Sequence, residues 1–135
     1  MDITLKATVL YSAIILTGLS AGLFFAWQFS VIPGTKKAQD IVYIEAMQKI
    51  NRAIINPPFL LIFLGPVLLQ LLGVFLFRDT SLTFWILIAA LIAYGAGTVL
   101  VTGFGNVPLN DELDTLRIHE LNENQLINER KGYES

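Results

Sequence analysis

Six side-chain amides, Gln28, Gln48, Asn51, Asn56, Asn106 and Asn110, are the residues of this sequence whose chemistry is hardest to ignore. Each amide offers two N–H donors and a carbonyl acceptor. Burying such a group unpaired costs on the order of 2 kcal/mol or more. Amides held out of water therefore either cap helices and bind loops, or line a polar pocket for a carbonyl-bearing ligand. Both readings stand on the sequence. Trp27, next to Gln28, either lines the same pocket or anchors a helix at a membrane interface, and its spacing favours the anchor.

Other chemistries lack their residues. His119 is the single histidine and has no acidic or histidine partner at ligand spacing, so it reads as a solvated side chain rather than a metal or haem ligand. With no cysteine, neither a thiolate metal site nor a disulfide framework is available. No acid or base accompanies the serines of the apolar stretches, so an activated nucleophile has no support. Those stretches hold no ionisable carboxylate, amine or imidazole, which argues against a pump or proton channel. Glycine-rich phosphate loops are absent, and a net charge of −2 speaks against nucleic acid as a partner. The expectation is no metal and no cofactor.

The elements that carry the amides follow from charge. Three stretches of 29, 25 and 31 residues, bounded by Lys6 and Lys36, Arg52 and Arg78, and Asp79 and Asp111, are free of Lys, Arg, Asp and Glu. Uncharged apolar runs longer than about 18 residues are transmembrane candidates. Spans are expected over residues 7–29, 58–77 and 82–104. A signal peptide fits the first poorly, because its apolar region is too long and Asp2 offsets Lys6 ahead of it. Gly65-Pro66 predicts a kink in the second span, and a carbonyl freed there must find a neighbour. Lys6 and Arg78 fall on one side of the membrane and the other seven Lys and Arg on the opposite side. The first loop and the C-terminal tail are thus expected in the cytoplasm. All six amides belong to that face.

Between the first two spans, residues 38–55 have helical periodicity. Ile41, Ile44, Met47, Ile54 and Ile55 form a stripe about 140° wide, with Gln48 and Asn51 inside it and Glu45, Lys49 and Arg52 opposite. This predicts an amphipathic helix on the membrane surface or packed back on the bundle, ended by Asn56-Pro57-Pro58. Beyond Pro108, Leu109, Leu113, Leu116 and Leu121 give a weak helical stripe, followed by a poorly ordered polar end. Small residues recur every four positions in the first span (Gly18, Gly22, Ala26) and the third (Ala89, Ala93, Gly97). They predict close helix packing within the bundle or a homodimer seam. The fold class is an all-α integral membrane bundle, with residues 1–113 as the bundle and 114–135 as a polar tail.

Three stretches resemble the DUF1772 membrane family, which includes the anthrone oxygenases. Residues 22–34 contain Phe25-Ala26-Trp27-Gln28-Phe29-Ser30 and end in Pro33-Gly34. Residues 43–57 contain Met47-Gln48-Lys49-Ile50-Asn51-Arg52 and end in Asn56-Pro57. Residues 105–113 begin Gly105-Asn106-Val107-Pro108-Leu109-Asn110. The three occur in the family's order and cover roughly residues 4–113. The family has a fourth span opening on a tryptophan–asparagine–histidine–arginine motif, and Ser135 lies about where it would begin. The resemblance therefore implies a four-helix bundle lacking its last span, with a homodimer or a partner helix over the exposed groove.

It also implies a chemistry. An anthrone becomes an anthraquinone when a proton beside its carbonyl system is removed and the enolate-type anion reacts with dioxygen. Such a site needs a base, a polar cradle and exclusion of water. The motif residues suited to the cradle are Gln48, Asn51, Asn56, Asn106 and Asn110, with Trp27 to stack on a flat ring. Glu45 matches the second motif but lies toward the solvated side of its helix, so no base is identified. The first expectation is accordingly a membrane protein in the lipid bilayer that binds an apolar aromatic or quinone-like molecule, a lipid or a partner without catalysis. The alternative is a cofactor-independent, anthrone oxygenase-like enzyme.

Overall fold

The computed structural model describes residues 3–134. Seven α-helices, with no strand among the described residues, follow in order: α1 (Ile3–Ala26), α2 (Ile32–Thr35), α3 (Asp40–Ile54), α4 (Pro57–Leu76), α5 (Ser81–Tyr94), α6 (Val107–Thr115) and α7 (Glu123–Glu134). A π-helical turn, Trp27–Val31, joins α1 to α2 without a break. Two more, Gly95–Leu100 and Thr102–Asn106, join α5 to α6. The polypeptide therefore makes two long rods, of 32 and 34 residues, and one span of 20. All three are long and apolar enough to cross a membrane.

The two rods are longer than the predicted spans. At 1.5 Å per residue, about 20 residues cross a hydrocarbon core of roughly 30 Å. Each rod exceeds that by a dozen residues or so, and both excesses lie at the end of the bundle where α3 and α7 sit. At that end the rods carry a helical head, in which α6 packs against α3 and α7.

Within the membrane, α4 is the central helix, packed against α1 on one side and α5 on the other. Glycines on α4 sit where neighbouring leucine side chains press closest. A Cβ at Gly65 would lie 2.5 Å from Leu16 Cδ1, and one at Gly73 would lie 3.2 Å from Leu87 Cδ1. The two small-residue stripes of the sequence do not serve this packing. Gly18, Gly22, Ala26, Ala89, Ala93 and Gly97 are exposed, and a Cβ added at Gly18, Gly22 or Gly97 meets nothing within 4 Å. The close approaches use α4 instead.

Pro66 lies inside α4 and has no N–H to offer the Ile62 carbonyl. One residue on, the Phe63 carbonyl accepts from the Tyr94 hydroxyl at 3.0 Å, and Tyr94 is in turn 2.7 Å from the buried Ser20 hydroxyl. Since the phenol's one proton goes to Phe63, Ser20 donates to Tyr94. This relay ties α1, α4 and α5 together beside Pro66.

The head has its own core. Tyr43, Ile44, Met47, Leu113 and Ile118 are buried, and Trp27, Val31, Ala38, Leu116, Leu126 and Tyr133 pack around them. The amphipathic helix α3 packs against α6 and α7 and buries Ile44 and Met47 of its stripe; Ile41 and Ile54 are half-buried, and Ile55, just past its end, is 72% exposed. The end of the tail, expected to be poorly ordered, is helix α7.

Candidate functional site

The structure divides the amides between two jobs. Gln48, within the stripe of α3, is buried and its Nε2 donates to the Leu113 carbonyl at 2.8 Å and the Leu116 carbonyl at 3.0 Å. These belong to the end of α6, where the Leu113 carbonyl also accepts from the Leu116 N–H at 3.3 Å. Asn56 is the N-cap of α4: its Oδ1 accepts from the Phe59 N–H at 2.9 Å, and its Nδ2 donates to the Ala53 carbonyl. These two amides hold helix ends. Gln28 and Asn106 lie exposed on the rods.

Asn51 and Asn110 come together through a residue that sequence reasoning passed over. The Tyr133 hydroxyl, from α7, donates to Asn110 Oδ1 at 2.8 Å, while Asn51 Nδ2 donates to the Tyr133 oxygen at 3.4 Å. With its oxygen held by Tyr133, Asn110 keeps both Nδ2 hydrogens to offer a ligand, and Asn51 keeps one. Trp27 packs at the edge of the same head core rather than standing free as an anchor. Of the predicted binding residues, the structure thus gathers Trp27, Asn51 and Asn110 around the head. It assigns Gln48 and Asn56 to capping bonds and leaves Asn106 on the surface.

Arg130 holds α7 in place. Its guanidinium donates to Asp40 Oδ1 at 2.7 Å, to the Ala38 carbonyl at 2.9 Å and to the Lys36 carbonyl at 2.7 Å. It also meets Glu134 and lies 4.4 Å from the centre of the Tyr43 ring. Burial acts to lower the Arg130 pKa, but the hydrogen bonds to Asp40 and Glu134 outweigh it and hold the pKa above its ordinary value. Tyr43 is pushed up to about 12, by burial first and then by Glu134 and Tyr133, against the pull of Arg130. It stays protonated at neutral pH. A sequence signal for α7 did exist: Leu126 and Tyr133 stand seven apart, on one helical face, and both reach the core.

On the other side of α3 a shallow cavity of about 410 Å³ opens between Glu45, Lys49, Arg52, Arg117 and His119. Its charges are largely spent on one another, as Glu45–Lys49, Arg52–Asp114 and Arg117–Glu120 pairs. The Lys49 hydrogen bond, followed by its charge, lowers the Glu45 pKa. His119 sits exposed on the rim, as expected of a solvated side chain.

Three membrane-crossing helices carrying a polar helical head define a small multi-pass membrane protein. The profile of the anthrone oxygenase family matches residues 53–132, more than half of the chain, and the chain belongs to that family. No curated protein and no solved structure is significantly similar to it.

Proposed function

We propose that the protein is a membrane oxygenase acting on a flat, apolar, carbonyl-bearing aromatic compound in the manner of an anthrone oxygenase. The observation that carries this is the family match, which runs from the last two residues of α3 through α4 and the second rod to residue 132 of α7. The meeting of Asn51, Asn110 and Tyr133 supports it from the side of the site.

In this reading the substrate partitions from the bilayer to the head, where Trp27 offers a flat face for a ring. The free N–H groups of Asn110 and Asn51 hydrogen-bond the substrate carbonyl. These bonds strengthen as proton loss turns that oxygen into an oxyanion, so they favour the transition state over the ground state. Tyr133 fixes the amides by holding the Asn110 oxygen. The carbanion reduces dioxygen and forms a carbon–oxygen bond, giving a hydroperoxide after protonation. Loss of water from the hydroperoxide leaves the second carbonyl. One substrate and one O2 yield one quinone and one water. The head faces the cytoplasm in this proposal, following the Lys and Arg asymmetry.

The test is oxygen uptake by the protein in phosphatidylcholine nanodiscs with anthrone as the probe, against empty nanodiscs. Anthraquinone should form faster than in the control. Asn110→Ala should lower kcat by about 10²-fold, the loss typical of one oxyanion donor. A wild-type rate equal to the empty-nanodisc rate would end this reading, leaving a binding protein of the bilayer whose Asn51–Tyr133–Asn110 chain is a packing device.

A further inference from the structure

We propose that the cavity between α3 and the turn after α6 binds a zwitterion that joins a phosphate to a primary ammonium, a phosphoethanolamine group. This site is separate from the amide cradle and does not depend on the oxygenase reading.

The cavity, of about 410 Å³, has two fixed walls. Its size is that of small-molecule sites, which run from about 300 to 1,000 Å³. Glu45, Lys49 and Arg52 follow one another at intervals of four and three on α3, so they share a helix face. The other wall is the 3-10 turn Ile118–Glu120 with Arg117 before it. Ile118 is buried and pins that turn into the head core. Gln48, a buried residue of the cavity wall, holds the chain ahead of the turn through the Leu113 and Leu116 carbonyls. Arg117 and Glu120 are thereby presented to the same cavity as the charges of α3.

The charges select the ligand. Lys49, Arg52 and Arg117 are paired with Glu45, Asp114 and Glu120 respectively, so the site carries three charges of each sign. Such a balance offers little to a bare anion or a bare cation. A ligand bearing both signs instead exchanges protein pairs for pairs with itself and leaves no charge over. The exchange is easy, because each of these side chains is at least 40% exposed and exposed ion pairs contribute little to stability.

The pairs also leave bonding capacity unused. Lys49 spends one of its three N–H donors on Glu45, Arg117 one of its five on Glu120, and Arg52 two of its five on Asp114. Spare guanidinium donors suit phosphate oxygens, which arginine can grip two at a time. Glu45 and Glu120 each engage their cation through one carboxylate oxygen and keep the other. The Lys49 hydrogen bond and charge lower the Glu45 pKa, so it meets a ligand as a carboxylate. A carboxylate oxygen needs a donor, so the cationic end is a primary ammonium; a quaternary ammonium has no proton to give. Leu116 and Ile118 supply apolar wall for the carbons between the two ends. Arg52 stands five residues before Pro57, where the α4 span begins, which brings a lipid headgroup within range. The group therefore has two sources, phosphatidylethanolamine or a soluble phosphoethanolamine ester.

The experiment has one arm for each source. In phosphatidylcholine nanodiscs, calorimetric titration compares O-phosphoethanolamine, phosphocholine and inorganic phosphate. In detergent, native mass spectrometry compares retention of phosphatidylethanolamine, phosphatidylcholine and phosphatidylglycerol. The primary-ammonium zwitterion should bind at least about tenfold more tightly than its competitors in one arm or both, and the arm that responds names the source. Arg117→Gln should weaken that binding about tenfold, the loss of one charge-assisted hydrogen bond, and Arg117→Lys should fall between. Glu120→Gln should weaken the zwitterion to a similar degree while leaving inorganic phosphate no weaker. Lys131→Gln, on α7 outside the cavity, should match wild type. Amide exchange over α3 and α6 equal to wild type shows that the variants keep the head folded. Saturable binding in neither arm overturns the proposal. So does equal binding of the choline compounds or the bare anions, or affinity undiminished in both Arg117→Gln and Glu120→Gln.

Discussion

Replacing Arg130 with alanine should detach α7 from the head while leaving the membrane bundle intact. Arg130 is 13% exposed, and three of its partners, the Lys36 and Ala38 carbonyls and the Asp40 carboxylate, lie in the turn before α3 and at the first residue of α3. Glu134 is on the same helix as Arg130, so that pair holds α7 to nothing else. Removing one partner of a buried, hydrogen-bonded charge pair costs roughly 3–5 kcal/mol. Asp40 is 34% exposed and regains water on opening, which favours the lower end, about 3 kcal/mol. At 1.36 kcal/mol per decade, about 3 kcal/mol raises the opening equilibrium of α7 by roughly 10²-fold. Little else resists: no residue of α7 is fully buried, and Leu126 and Tyr133 are its partly buried apolar contacts with the core. Hydrogen–deuterium exchange in nanodiscs reads this directly. Amides of α7 should lose about two orders of magnitude of protection, and those of α4 should lose none. Arg130→Lys should fall between, because an ammonium keeps the attraction to Asp40 but not the fork that reaches two carbonyls as well. Unchanged exchange over α7, or an equal loss over α4, would refute the idea that Arg130 is a local clamp.

Two other outcomes follow from buried polar groups. Tyr43, with its pKa pushed up to about 12, is favoured protonated in the folded head. The stability it contributes is present in full below pH 10 and is lost as pH rises from about 10 to 12. Absorbance at 295 nm should show a late-titrating tyrosine signal that is reduced in Tyr43→Phe, and head unfolding should track the part lost; an unchanged late signal in Tyr43→Phe would contradict the burial argument. Gln70 is 4% exposed within the α4 span, and its Oε1 meets no donor among the described residues, while Nε2 reaches Thr17 only at 3.4 Å. Gln70→Leu should therefore be neutral or stabilising by about 1 kcal/mol in bilayer unfolding measurements, and a loss of that size would show the amide has a partner in the membrane.

The reach of the sequence in this protein follows the physics of its solvents. The spans were legible because lipid excludes charge, and three charge gaps are visible without any structure. α3 was legible because a helix between two solvents must sort its faces, and Ile44 and Met47 are indeed buried where their stripe places them. The same sorting could not say what the stripe packs against: lipid and a protein core both accept isoleucine. α7 was missed for the complementary reason. It buries little more than Leu126 and Tyr133 and is held instead by Arg130, whose partners include two backbone carbonyls about ninety residues earlier. A carbonyl has no sequence signature, so an arginine that binds carbonyls looks like any solvated arginine. The candidate site inherits that blindness. Asn51 and Asn110 can be picked out by residue type, but the tyrosine that joins them lies on α7. Without an ordered α7 nothing links the two asparagines, and their meeting depends on Arg130 fixing that helix against the start of α3.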